Sequence, residues 1–356
     1  MRIRFEHGRR DHLKTMHPAY FAMVMATGIV SSALFLHGVP TLPTVLLGLN
    51  GLMLAGVLTA TVLRFLRYRL DFIADIDSHS RGVGFFTAVA GIATFGTQLV
   101  VQTGAVRLAV VFWVIAAILW AVITYGILGV LTAKADKPTL QEGLNGAWLL
   151  VVVAAQSVAT LTVLLLGGGA FAEFQQELVF AALIMWLGGG ALYLWIMTLI
   201  FFRYTFVHMA PEDLTPPYWI NMGAVAISTL AGALIVEHAS LSPIVGDILP
   251  FAKGFVLFFW AIASWWIPML VVLGVWRYLI SGVPFIYDPL YWGGVFPLGM
   301  YSVCTFHLDR ALGVPFLMPL SKLFMLFAVV AWIAAFIGFL DSRVNGTAAA
   351  SPETRR

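Results

Sequence analysis

One apolar segment near the start of the chain decides the fold class: residues 17–36 read HPAYFAMVMATGIVSSALFL. From Ala19 to Leu36 it carries no charged side chain, and its length approaches the roughly 20 residues that a helix needs to cross a bilayer core. Basic residues at positions 2, 4, 9, 10 and 14 precede it, as in a signal peptide. Because the run is too long for a signal core and similar runs follow, we interpret it as the first membrane helix.

Composition excludes a soluble protein. Of 356 residues, 61% are hydrophobic and only 10% are charged, whereas a soluble domain keeps roughly a quarter of its residues charged. The apolar runs are continuous, which favours helices over the alternating pattern of a membrane β-barrel. The sequence therefore predicts an all-α polytopic membrane protein. Its single cysteine, Cys304, excludes an internal disulfide, and no phosphate-binding loop of an ATPase occurs.

Hydropathy predicts ten spans, which pair as five helical hairpins. The predicted spans are 18–37, 43–66, 82–102, 106–132, 144–166, 176–203, 217–237, 250–280, 290–309 and 316–340. We expect an N-terminal cytoplasmic segment at 1–16, a transmembrane domain over 17–340 and a disordered cytoplasmic tail at 341–356. With ten spans, 16 of the 20 Lys and Arg residues fall on the side of the termini, which predicts that both termini are cytoplasmic.

The odd-numbered spans resemble one another. Each opens with an aromatic residue and continues with small and polar side chains, which must face protein or water because lipid cannot hydrogen-bond them. We therefore expect the odd helices to surround a central pore and the even helices to face lipid. The alternative is that small and polar residues only let helices pack closely. The candidate pore-lining residues are Thr27, Ser31, Thr87, Thr94, Gln98, Gln156, Thr160, Asn221, Ser228 and Tyr301.

Three segments carry a resemblance to a known family. They are the opening helix from His17 to Ser31, His79 with the following Phe85-Phe86-Thr87, and Trp292-Gly-Gly-Val-Phe296-Pro297. In this order they resemble the family of slow-type plant anion channels, bacterial tellurite-resistance proteins and yeast dicarboxylate and sulfite transporters. The resemblance extends from about residue 17 to 340.

The resemblance implies a trimer of five-hairpin bundles in which a phenylalanine of the ninth helix plugs the pore. Phe296 is the matching position, and core packing is the alternative role for it. An aromatic ring can block a narrow path by excluding water, and Pro297 removes a backbone hydrogen bond, so the helix can bend there. Unlike the inner helices of many family members, spans three and five contain no proline.

Charged residues flank both ends of the predicted pore. His79 and Arg81 lie at the cytoplasmic mouth, where they either concentrate anions or serve as an ordinary positive-inside flank. His307, Asp309 and Arg310 end the ninth span, where a His-Asp pair can relay protons or form a solvated helix end. No Lys or Arg lies deep in an odd span, so anion preference would come from hydroxyls, amides and helix dipoles.

These observations favour a passive channel or uniporter for small anions in a bacterial-type inner membrane. The alternative is a proton-coupled transporter for C4-dicarboxylates, sulfite or an oxyanion such as tellurite. We expect no enzyme activity, no cofactor or metal and no nucleic-acid partner. The partners that we expect are the anion itself, the lipid bilayer and two further copies of the chain.

Overall fold

The structure, a computed structural model, describes residues 12–345. Within that range it contains no strand, and long α-helices are joined by short turns. The ten longest helices are numbered here in chain order as α1 (Ala22–Leu36), α2 (Leu42–Arg67), α3 (Phe86–Gln98), α4 (Val106–Ala133), α5 (Leu150–Gly167), α6 (Gln175–Phe206), α7 (Ile220–Glu237), α8 (Leu249–Val275), α9 (Trp292–Leu312) and α10 (Met318–Asn345). The predicted all-α polytopic fold is confirmed.

Nine segments within residues 12–345 are long and apolar enough to cross a membrane, and they contain every numbered helix except α9. Glycines, Pro297, His307 and Asp309 lower the hydropathy of α9. Yet 15 of its 21 residues are buried, so neighbouring protein and not lipid surrounds its polar groups. Because α9 does not reach the hydropathy of the other nine segments, the count of ten spans stays a prediction.

Burial alternates along the chain. In the spans that contain α1, α3, α5 and α7, between 83% and 94% of the most apolar window is buried, against 11% to 39% in the five even helices. Because hydrocarbon cannot satisfy polar side chains, the polar odd helices lie inside and the apolar even helices outside. The predicted inner and outer layers are confirmed.

The five odd helices form a closed ring. Helix α1 packs against α3, α3 against α5, α5 against α7, α7 against α9, and α9 packs against α1. Each even helix packs on the odd helix of its own hairpin and also contacts the odd helix of the next hairpin. The outer layer thus covers the grooves of the inner one.

Each odd helix is entered through a 3-10 turn, and these turns also contact one another around the ring. The turns are Pro18–Phe21, Gly82–Phe85, Gly146–Leu149, Pro216–Trp219 and Pro289–Tyr291. Three preceding side chains accept a hydrogen bond from a backbone N–H of the turn: His17 Nδ1 at 3.1 Å, Asn145 Oδ1 at 2.8 Å and Asp288 Oδ1 at 2.7 Å. Such caps satisfy N–H groups that a helix start leaves without partners. The five hairpins therefore resemble one another in these turns as well as in the helices.

The predicted terminal segments lie partly outside the described residues, which exclude 1–11 and 346–356. Helix α10 continues to Asn345, five residues into the segment 341–356. At that end Ser342 Oγ donates to the Phe339 carbonyl at 2.7 Å, and the Arg343 guanidinium lies 5.3 Å from the Phe339 ring centroid.

Candidate functional site

A cavity lies inside the ring of odd helices. The space in it that the centre of a water-sized sphere can occupy is about 40 Å³, and each inner span contributes three residues spaced i, i+3 and i+7. This spacing places the three on one helix face. The lining residues are Ile29, Ser32 and Leu36 of α1, Thr94 and Thr97 of α3 with Val101 of the π-helical turn Leu99–Thr103 that continues it, Ser157, Thr160 and Leu164 of α5, Ile227, Leu230 and Leu234 of α7, and Met300, Val303 and His307 of α9.

The lining is apolar apart from five hydroxyls and one imidazole. Ser32 and Ser157 donate to carbonyls of their own helices at 2.9 and 2.8 Å. The Thr160 hydroxyl, by contrast, is buried and has no hydrogen-bond partner within the described residues. A buried hydroxyl without a partner costs free energy. Thr160 therefore supplies a donor that a solute in the cavity can use.

Two of the ten predicted pore-lining residues, Thr94 and Thr160, line this cavity. The other eight hydrogen-bond elsewhere: Thr87 to the Pro18 carbonyl and Ser228 to a carbonyl of its own helix, and six to even helices or the turns beside them. These six pairs are Thr27 with Trp332, Ser31 with Pro43, Gln98 with Asn50, Gln156 with Trp186, Asn221 with Tyr204 and Tyr301 with Ser264. Such bonds join the inner layer to the outer one.

Phe296 lies one turn before Met300 on the cavity face of α9 and is 1% exposed. The corresponding positions of the other odd helices, four residues before the first lining residue, are also buried. They are Met25, Ala90, Val153 and Gly223. Three of these four residues, Ala90, Val153 and Gly223, have small or no side chains. Pro297 packs against α7 at Gly223.

The two residues predicted at the cytoplasmic mouth have different surroundings. Arg81 Nε lies 2.6 Å from Asp75 Oδ1, and Arg64 contacts the other oxygen of the same carboxylate, also at 2.6 Å. Asp75 thus bridges α2 to the start of α3. The His79 ring lies 6.3 Å from Trp148, which opens α5. Burial and the nearby Lys134 and Lys137 lower the pKa of His79, so it is neutral at pH 7.

His307 is the lining residue at the C-terminal end of α9. Its Nδ1 lies 2.8 Å from Glu237 Oε1, and Arg310 Nε lies 3.8 Å from Glu237 Oε2. The sequence suggested Asp309 as a partner, but the ring brings the end of α7 to His307 instead. The helical register contains the missed signal, because Glu237 follows Leu234 of the lining by three residues.

Comparison with known proteins agrees with this architecture. A model of the voltage-dependent anion channel family matches residues 15–340. The chain belongs to this family. A transporter of Methanocaldococcus jannaschii is 25% identical over 84% of each chain. A sulfite efflux pump of Arthroderma benhamiae is 23% identical over 91% of this chain and 90% of its own.

A third relative in this comparison is a membrane protein of Mycobacterium tuberculosis, which is 37% identical over 42% of this chain and 75% of its own length. Membership of the voltage-dependent anion channel family and its transporter relatives support anion transport by this integral membrane protein. Within the described residues, no group of three His, Cys, Asp or Glu side chains forms a metal site.

Proposed function

We propose that this protein of the voltage-dependent anion channel family conducts small anions passively along the axis of the odd-helix ring, with Phe296 as the gate. The observation that carries the proposal is the cavity, to which all five odd helices contribute the same three-residue register. Among residues 12–345, those that line it include hydroxyl donors and no carboxylate. An anion can therefore be solvated there without meeting a fixed negative charge.

The position of Phe296 supports its role as the gate. It lies one turn before the first lining residue of α9, on the side of the 3-10 turns, and it is almost completely buried. An aromatic ring in a narrow path excludes water, and an ion that cannot keep its hydration does not pass. Pro297 lets α9 bend beside the ring, so opening needs only a local displacement of this helix segment.

The helix dipoles favour anion entry at the gate end. Five helix N-termini converge there, and each carries a partial positive charge. These dipoles are fixed in the backbone and hold an anion less tightly than a lysine or arginine would. The lining contains neither residue. Weak attraction at several donors suits rapid passage of chloride- or nitrate-sized ions better than tight binding.

The proposal includes an orientation and an assembly. The strong excess of basic residues on one side favours both termini in the cytoplasm of a bacterial-type cell, with the 3-10 turns on the cytoplasmic side. The even helices expose large apolar side chains, such as Leu52 and Trp195, to lipid or to another copy of the chain. The family resemblance described above favours a homotrimer.

The second candidate is coupled export of sulfite or a similar oxyanion, or C4-dicarboxylate transport. Sulfite efflux pumps that align with about nine-tenths of this chain favour the sulfite form, and the imidazole–carboxylate pair at the cavity end offers a proton acceptor. The two candidates differ in coupling. Passive flux follows the electrochemical gradient of the anion alone, whereas coupled flux stops when the proton gradient is collapsed.

The test is anion current through the purified protein in a planar bilayer, compared between wild type and Phe296→Ala. We expect a small wild-type current that rises severalfold in the variant, with a reversal potential that follows the anion gradient. Phe306→Ala is the matched control, because that ring lies on the same helix and contacts His37 instead of the axis. If both proteins are silent while a proton gradient drives sulfite or malate uptake into liposomes, the coupled candidate replaces the channel.

A further inference from the structure

The end of the cavity opposite Phe296 differs chemically from the rest. Among the fifteen described residues that line the cavity, His307 alone has a titratable side chain. It belongs to the last lining layer, beside the C-terminal ends of the odd helices. These ends carry partial negative charges, so this end repels an anion where the gate end attracts one.

Glu237 determines how the imidazole is oriented. A carboxylate accepts hydrogen bonds, so the proton of a neutral His307 ring lies on Nδ1, 2.8 Å from Glu237 Oε1. The other ring nitrogen, Nε2, then carries a lone pair, which repels an anion. A second proton would be bound at Nε2 and would turn it into a charged N–H donor.

The other ionisable groups near this end leave His307 as the group that changes charge on the cavity wall. Glu237 and His238 end α7, and Asp309 and Arg310 follow His307 on α9. His37, at the end of α1, bonds to Ser321 of α10, the helix that also carries Lys322. Neutral His307 with Glu237 and Arg310 sums to no net charge, and protonated His307 adds one positive charge.

We propose that His307, oriented by Glu237, forms a proton-dependent binding site for a small inorganic anion at this end of the pathway. The anion accepts a hydrogen bond from Nε2–H of the imidazolium. It then accepts one from the Thr160 hydroxyl, which lies in the lining layer one helical turn nearer Phe296 and has no other partner among the described residues. This inference rests on the proposed function. It adds a position at which the anion binds and a proton that controls its entry. Acid on this side increases anion occupancy because a charged donor binds anions more strongly than a neutral one.

The experiment measures chloride flux in proteoliposomes with the same pH on both sides, from pH 8 to pH 5, so that no proton gradient drives transport. We expect wild-type flux to rise severalfold toward acid pH and the half-saturating chloride concentration to fall. In His307→Gln both should become independent of pH. In Glu237→Gln the flux at pH 8 should be higher and the pH profile should differ from that of wild type, because the carboxylate that orients the imidazole is gone.

His37→Gln is the control, because this histidine bonds to Ser321 and does not line the cavity. It should keep the wild-type profile. If His307→Gln keeps that profile, or Glu237→Gln leaves it unchanged, the anion site is refuted while the channel remains. If His307→Gln does not fold, as judged by its melting curve, the pH profile of flux in Glu237→Gln alone tests the anion site. A wild type without flux at every pH contradicts the proposed function itself.

Discussion

Gly223 of α7 and Pro297 of α9 are in direct contact: a β-carbon on Gly223 would lie 2.8 Å from Cγ of Pro297. The proline ring is rigid, so neither side can yield without moving a helix. The two helices are therefore in close contact beside Phe296. The absence of a side chain at position 223 allows α9 to approach α7 there.

We expect Gly223→Ala to lower stability by about 1–3 kcal/mol, because the added methyl group overpacks this contact. The melting temperature of the detergent-solubilised protein measures the effect. Gly188→Ala is the matched control, since Gly188 lies in helix α6 with nothing within 4 Å of its β-position. There the change should be neutral or stabilising by about 0.5–1 kcal/mol. Equal melting temperatures for the two variants would contradict the tight contact.

We expect Asp75→Asn to cost about 3–5 kcal/mol, because it leaves the buried Arg64, whose side chain is 4% exposed, without its carboxylate. Asp77→Asn provides the comparison on the same segment. Asp77 pairs with Lys134 at 2.6 Å, but its side chain is 51% exposed, so the loss should stay below about 1 kcal/mol. Chemical denaturation of both variants measures the difference, and a similar cost for both would exclude a structural role for the buried cluster.

Two threonines of α5 should respond in opposite ways to replacement by valine. Thr160 lines the cavity, and its hydroxyl has no hydrogen-bond partner in the described part of the chain. Thr160→Val should therefore leave stability within about 0.5 kcal/mol of wild type and reduce anion flux severalfold. Thr162 Oγ1 accepts from Trp113 Nε1 at 2.7 Å. Thr162→Val therefore leaves the indole N–H of Trp113 without its acceptor. The free energy of unfolding should fall by about 1–3 kcal/mol, and flux should be preserved. Melting curves and flux assays on both variants test the pair, and reduced flux in both would refute the distinction.

Acid should destabilise the protein through His17. Burial and the neighbouring Arg81 lower the pKa of His17 to about 3. The unfolded chain binds this proton near pH 6.5, so it holds more protons than the folded chain between pH 6.5 and 3, and the free energy of unfolding falls as pH drops. The loss is at most about 1.4 kcal/mol per pH unit.

The variant His17→Asn should weaken that dependence without removing the cap, since Asn145 caps the equivalent turn of α5. Melting temperatures between pH 7 and pH 5 measure it. The exposed His208 supplies the control, and His208→Asn should keep the wild-type slope. A wild-type melting temperature that does not change over this range would be inconsistent with a buried, neutral His17.

The amino-acid sequence by itself determined the helical membrane class, the approximate positions of the spans and the division into inner and outer helices. Hydropathy is a property of each segment, so spans such as 106–132 can be located without knowing their neighbours. The layers were also predictable, because a polar helix must avoid lipid wherever the other helices lie. Even the weakly apolar α9 was located, as the predicted span 290–309.

Which side chain faces the axis depends on how the helices pack against one another. A helix such as α5 is buried on all sides, so its hydropathy does not show its rotation. Gln156 bonds to the outer layer, and Thr160, one turn later, faces the cavity. The partner of His307 is likewise 70 residues away in the chain. The closed ring brings Glu237 to it, because contacts between distant helices depend on packing that no single segment encodes.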